Sequence, residues 1–165
     1  MSDWKITGAI TAGQAINVNS ATQKAKIGTI VTAVDVASTD YGMGEFIYLK
    51  GSASTAVGSV VVYDSDGTTD LAVANDVGDV GLAMAATVAS EFGWFQIQGL
   101  GVVKGLAGLA TAKLCYLTAT DGSVDDAVVA GDAISGMVTT SALDTPSSGL
   151  AEVSLNRPFV TNVSN

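Results

Sequence analysis

The chain has no histidine, which removes the usual general base, the Ser-His and Cys-His nucleophile pairs and most zinc sites. Its single cysteine, Cys115, admits no intrachain disulfide, so stability has to come from packing or association. Set inside Lys113-Leu114-Cys115-Tyr116-Leu117, that thiol reads as a small buried hydrophobe rather than a nucleophile. Basic residues are scarce: Lys and Arg total 7 against 16 Asp and Glu, for a net charge of −9. Such a balance repels phosphate backbones and anionic membrane surfaces, so neither nucleic acid nor membrane is an expected partner. No apolar run reaches the ~18 residues of a membrane span. Met1-Ser2-Asp3-Trp4-Lys5 carries no basic region leading into an apolar stretch, so no secretory signal is read and synthesis in a cytoplasm is expected.

What is present is small and apolar. The hydrophobic fraction is 48% and the charged fraction 14%, which excludes a disordered chain. Ala, Val, Gly and Thr dominate over Leu, Glu and Lys, which favours strands and turns. At 165 residues the chain is most simply one all-β domain, long enough to bury roughly 70% of its unfolded surface. Only two prolines occur, Pro146 in a loop and Pro158 at a strand end, where a missing N–H costs little.

The text repeats itself. Residues 1–26 have no counterpart elsewhere and read as an N-terminal arm or added edge strand, containing Lys5, Lys24 and Lys26. From residue 27 onward the chain forms a single all-β domain of two and a half units: a half unit over 27–50 and full units over 58–103 and 112–160. Ile27-Gly28, Val80-Gly81 and Ser135-Gly136 are read as opening equivalent strands. Glu45 to Lys50, Trp94 to Gln98 and Leu150 to Leu155 are read as the returns. In the last of these Ala151, Val153 and Leu155 alternate with Glu152 and Ser154, which predicts one buried and one wet face. Phe95 and Ile97 alternate in the same way with Gln96 and Gln98, whereas Phe46 to Leu49 is apolar on both faces.

Between the returns, Val60 to Tyr63 and Leu114 to Leu117 are each followed by an Asp-Gly turn, Asp66-Gly67 or Asp121-Gly122. Short strands are expected next, at Leu71 to Val73 and at Ala127 to Val129. About ten strands result, which fits a compact β-barrel or a two-layer β-sandwich.

Few residues carry a chemical signal. Nearly all acids lie at turns, so a hydrolytic carboxylate pair is a weak reading, and no enzyme activity is expected. Asp64-Ser65-Asp66-Gly67 begins like a calcium loop. Thr68 and Asn75 stand where the pattern needs its further ligands, so a hairpin turn is the simpler account, with a weak cation site left open. No cofactor is expected. Trp94, beside Gln96 and Gln98, is read three ways: a sugar platform, an interface anchor, or internal packing beneath the N-terminal arm. Trp4 either meets a partner or docks on its own domain. The candidate interface set is therefore Trp4, Lys5, Lys24, Lys26 and Trp94.

From about Gly44 to Val160 the chain resembles the head-decoration, or cement, proteins of tailed bacteriophages. The likeness rests on Gly44-Glu45-Phe46-Ile47-Tyr48-Leu49, the small-residue linker from Gly51 to Gly58, Val60 to Tyr63, Asp66-Gly67, Gly81-Leu82-Ala83 and Trp94 to Gln98. A second pass runs through Leu114 to Leu117, Asp121-Gly122 and Gly136-Met137-Val138. These are turn and strand patterns rather than unique residues. The resemblance implies a β-barrel-like domain on the outer surface of a mature phage head, usually a homotrimer, clamping major capsid subunits and gripping the shell with its N-terminal arm. It implies no catalytic residues. A carbohydrate-binding or fibre-associated β module on a virion or cell surface is the alternative.

Overall fold

A computed structural model describes residues 3–7, 13–51 and 54–163. Among these the chain is all-β, with no helix and eleven strands in one sheet. They are β1 (Trp4–Thr7), β2 (Ile30–Asp35), β3 (Met43–Gly51), β4 (Val60–Tyr63), β5 (Thr68–Leu71), β6 (Gly78–Ala83), β7 (Phe92–Lys104), β8 (Leu114–Leu117), β9 (Val124–Asp125), β10 (Ala133–Thr139) and β11 (Leu150–Val160).

The pairings close into two rings that share β7. In the first, β3 pairs with β7, β7 with β6, β6 with β4 and β4 with β5, all antiparallel. The ring closes through a parallel contact, Lys50 opposite Thr68 on β5. In the second, β7 pairs with β11, β11 with β10, β10 with β8 and β8 with β9. It too closes in parallel, through a bridge between Gly105 and Val124. Closure leaves these strands with partners on both sides, which protects sheet edges from stray pairing.

The long β7 serves both rings, residues 92–98 facing β3 and residues 99–104 facing β11. The bend between its halves requires Gly99, whose φ is +99° and where a Cβ would lie 2.5 Å from the Met43 carbonyl oxygen. The structural unit is therefore set differently from the repeat in the text. Glu45 to Lys50 opens its ring as Gly99 to Lys104 opens the next, while Trp94 to Gln98 closes the first ring as Leu150 to Asn156 closes the second.

Local expectations met several outcomes. Gly67 and Gly122 sit in left-handed backbone, φ +78° and +70°, as their Asp-Gly turns demand. The strand expected at Ala127 to Val129 is absent; the short β9 precedes it. That expected at Leu71 to Val73 falls earlier, at β5, because the tight Asp66-Gly67 turn starts the return at once. Ile27-Gly28 opens no strand, since Gly28 turns the chain at φ +82° and β2 starts at Ile30.

Three apolar clusters fill the molecule. Ile47, Leu49, Val61, Ala83, Phe95 and Ile97 occupy the first ring, with Tyr63 and Leu71 packed against them. Val103, Cys115, Leu117, Ile134, Met137, Ala151, Val153 and Leu155 belong to the second cluster, together with Val60, Val80 and Leu82 from the outside of β4 and β6. The third lies outside β3 and β7: Phe46, Tyr48 and Trp94 under Trp4, Ile16, Val31 and Ala33. Both faces of Phe46 to Leu49 are buried, as their unbroken apolar text predicts. The wet face expected on β7 is only half so, with Gln98 exposed and Gln96 at 1% exposure.

Candidate functional site

The N-terminal segment decides where the candidate residues go. β1 pairs with β2, opposing Trp4 with Asp35 and Thr7 with Thr32. Asp35 is buried and ties the two ends together, accepting hydrogen bonds from the Asp3 and Ala37 N–H groups at 2.9 and 3.0 Å and from the Ser38 hydroxyl at 2.8 Å. Burial by itself raises the Asp35 pKa, but these donors outweigh it and hold the carboxyl below its ordinary value.

Residues 13–26 cross the outer face of β3 and β7. Gln14 is 7% exposed, and its side-chain carbonyl accepts the Tyr48 hydroxyl at 2.8 Å. Its amide donates to the Val18 and Phe92 carbonyls. The Trp94 indole N–H donates to the Gln14 backbone carbonyl at 3.1 Å, and the Lys24 N–H donates to the Tyr48 hydroxyl at 3.0 Å. Ser20 bridges to Phe92, fixing the segment against β7.

These contacts sort the five candidates. Trp94, 1% exposed, stands edge-on to Tyr48 with ring centroids 4.9 Å apart, beneath the N-terminal segment. Of its three readings the structure realises internal packing, because the glutamine-flanked face of β7 is the face that segment covers. Trp4, at 4% exposure, meets Phe46 edge-on at 4.9 Å and docks on its own domain. Neither ring is presented at the surface of the chain. Lys5 is exposed on the opposite side of β1, paired with Asp3 at 3.2 Å. Lys24 and Lys26 are exposed on either side of Ala25, which packs against the Trp94 cluster. The structure thus brings Trp4, Ala25 and Trp94 together inside and leaves the three lysines outside.

At one open end of the first ring lies a cavity of about 470 Å³ with an apolar floor of Ile27, Ile47 and Leu49 and a rim of Lys26, Tyr63, Asp64, Asp66 and Asp79. Burial and the neighbouring Asp79 carboxylate push the Tyr63 hydroxyl upward, and Arg157 opposes them. Ile27 packs against the turn glycine, so a Cβ on Gly67 would overlap its Cγ2. Sequence reading did not assemble this cavity, because its members come from four separate segments and no periodicity links them.

The Asp64 to Asp70 stretch is a hairpin turn, with the Gly67 N–H donating to the Asp64 carbonyl and the Thr68 N–H to the Asp66 carboxylate, both at 2.9 Å. Cys115 is fully buried; burial, then the Asp126 charge, push its thiol up to about 12, which leaves it protonated and unreactive at neutral pH. No protein family, curated protein or solved structure matches the chain.

Proposed function

We propose that the chain is a capsid decoration protein, which binds the outer surface of a mature phage head as a trimer and fastens neighbouring major capsid subunits. The observation that carries the reading is the tandem ring. Two closed circuits of strands share β7 and enclose continuous apolar cores, giving a stiff body suited to bearing load rather than to opening around a substrate. The strand-and-turn resemblance supplies the kind of load. Acidic charge, −9 over the chain, keeps such a body off packaged DNA and in solution until it meets a shell. Many copies on a symmetric lattice hold by avidity even where each contact is weak.

The docked arm changes how the grip is assigned. Because Trp4 and Trp94 are interior, attachment falls to the exposed Lys5, Lys24 and Lys26 and to the cover that carries them. Co-sedimentation with undecorated, expanded heads, titrated to saturation, tests this. Saturation at a fixed number of copies per capsid subunit is the expected result. A folded chain that binds no head at any stage of maturation refutes it. The carbohydrate-binding alternative is favoured by one observation, the Tyr63 cavity with Asp64, Asp66 and Asp79 on its rim. Glycan-array binding that is lost in Asp79→Ala would establish it.

A further inference from the structure

The two rings place a carboxylate at the same point of their open ends, and the two carboxylates are answered differently. In the second ring the Leu117 N–H donates to the Asp132 carbonyl at 2.9 Å. The Asp132 carboxylate, 2% exposed, accepts the Asn75 N–H at 2.7 Å. Asn75 lies in the loop that follows β5 of the first ring. Leu71, the last residue of β5, packs over the turn glycine, since a Cβ on Gly122 would stand 2.8 Å from its Cδ2. The first unit thus closes the mouth of the second with an aliphatic side chain and a hydrogen-bond donor to a carboxylate.

In the first ring Asp79 holds the corresponding place, opposed to Tyr63 across β4 and β6. Residues so opposed share a face, and Tyr63 packs against the apolar cluster inside this ring, which sets Asp79 on the inward side of the mouth. Ile27 supplies the aliphatic part by packing on Gly67. The donor has no counterpart. Asp64 and Asp79 are exposed, and among the described residues neither carboxylate has a hydrogen-bond or ion-pair partner. Asp66 is engaged within its own turn by the Thr68 N–H. Arg157, which lines a smaller hollow with Asp79, is paired with Glu45. Lys26 is the one cation lining the cavity of about 470 Å³, against three carboxylates.

An apolar floor of Ile47 and Leu49 below unanswered carboxylates fits a group with a hydrocarbon stem and a cationic head that donates hydrogen bonds. We infer that this mouth receives a lysine or arginine side chain of a partner protein, its stem on Ile47 and Leu49 and its head between Asp64 and Asp79. For the partner the inference rests on the decoration reading, which makes it the major capsid subunit. Gln23 and Lys26, on the cavity wall, belong to the cover already assigned to attachment.

The test is titration of Nα-acetyl-lysine methylamide into the isotope-labelled full chain, followed by amide chemical shifts. Saturating shifts at Tyr63, Asp64 and Asp79 are expected at millimolar probe. Nα-acetyl-norleucine methylamide, which keeps the stem and lacks the charge, should bind at least about threefold more weakly, as should the lysine probe to Asp79→Asn. Asp40→Asn removes the same charge from an exposed position outside the cavity and should leave the affinity unchanged. Asp64 and Asp79 are exposed, so their variants keep the fold, which the amide spectrum itself checks. Absence of saturating shifts at the mouth, equal binding of the norleucine probe, or equal weakening by Asp79→Asn and Asp40→Asn overturns the inference. Saturation by a methyl glycoside in place of the lysine probe also overturns it, in favour of the carbohydrate reading. The titration uses no heads, so the two readings fail separately. A chain that binds the probe and no head refutes the decoration reading alone. Head binding undiminished in the Asp64→Asn, Asp79→Asn double variant refutes the capsid side chain as occupant alone.

Discussion

Gln96 and Gly101 form a lock at the bend of β7, and it can be tested by a double-mutant cycle. The Gln96 amide nitrogen donates to the carbonyls of Gln98 and Leu100 at 3.2 and 2.8 Å, bracing the strand on either side of Gly99. A Cβ at Gly101 would stand 2.4 Å from the Gln96 side-chain oxygen. An amide at the end of a flexible side chain ordinarily yields at little cost, but this one is 1% exposed and held by two hydrogen bonds. Gly101→Ala therefore forces Gln96 off both acceptors, a loss of about 2 kcal/mol at ~1 kcal/mol net for each bond. Gln96→Ala loses the same bonds and about one buried methylene more, about 3 kcal/mol in all. In the double variant the bonds are lost only once and the new methyl enters vacated space. The pair should then cost about 3 kcal/mol rather than 5, a coupling of about 2 kcal/mol. Urea unfolding followed by tryptophan fluorescence reads this directly, since Trp4 and Trp94 are both buried when folded. Gly99→Ala is the control: its clash is with the Met43 carbonyl oxygen and its φ is positive, so Gln96→Ala should give it no relief. Strict additivity of Gln96→Ala and Gly101→Ala would refute the lock.

Further outcomes follow from the same contacts. Gln14→Ala should destabilise the chain by roughly 2–3 kcal/mol through the lost partners of Tyr48, Val18 and Phe92, and amide exchange should quicken first at Ser20, which Phe92 holds. Trp94→Ala should cost about 3–5 kcal/mol as a core truncation, so any loss of ligand binding in it has to be corrected for unfolding. Cys115 should resist a thiol reagent at pH 8 in native protein and react fully in denaturant; fast labelling without unfolding would contradict its burial. The folded Asp35 carboxyl is held below its ordinary pKa by its hydrogen-bond donors, so its contribution is complete above the unfolded value and is lost as pH falls through the folded one. Asp35→Asn should accordingly show a flatter loss of stability below about pH 4 than wild type. An identical acid profile in the two proteins would show that the carboxylate does not anchor β1.

The all-β class, the hairpin turns at Asp66-Gly67 and Asp121-Gly122, the two buried faces of Phe46 to Leu49, the alternation of Ala151, Val153 and Leu155 and the inert Cys115 were legible in the text because each depends on residues near in sequence. Strand period, the φ that only glycine takes easily, and the preference of a lone thiol for the interior are local properties. The fates of Trp4 and Trp94 were not local. Alternation places Trp94 on the glutamine face of its strand, but a face is wet or dry only according to what is laid over it, and here residues 13–26 return across Trp94 and Phe92 from far away in the chain. The rim of the first ring shares that origin: its members come from four separate segments that meet only when the ring closes. Sequence by itself thus determined the all-β class and the Asp-Gly turns, but not the strand expected at Ala127 to Val129 or the start of β2. Tertiary structure alone decided which faces meet, because burial is a property of pairs of surfaces and not of a strand.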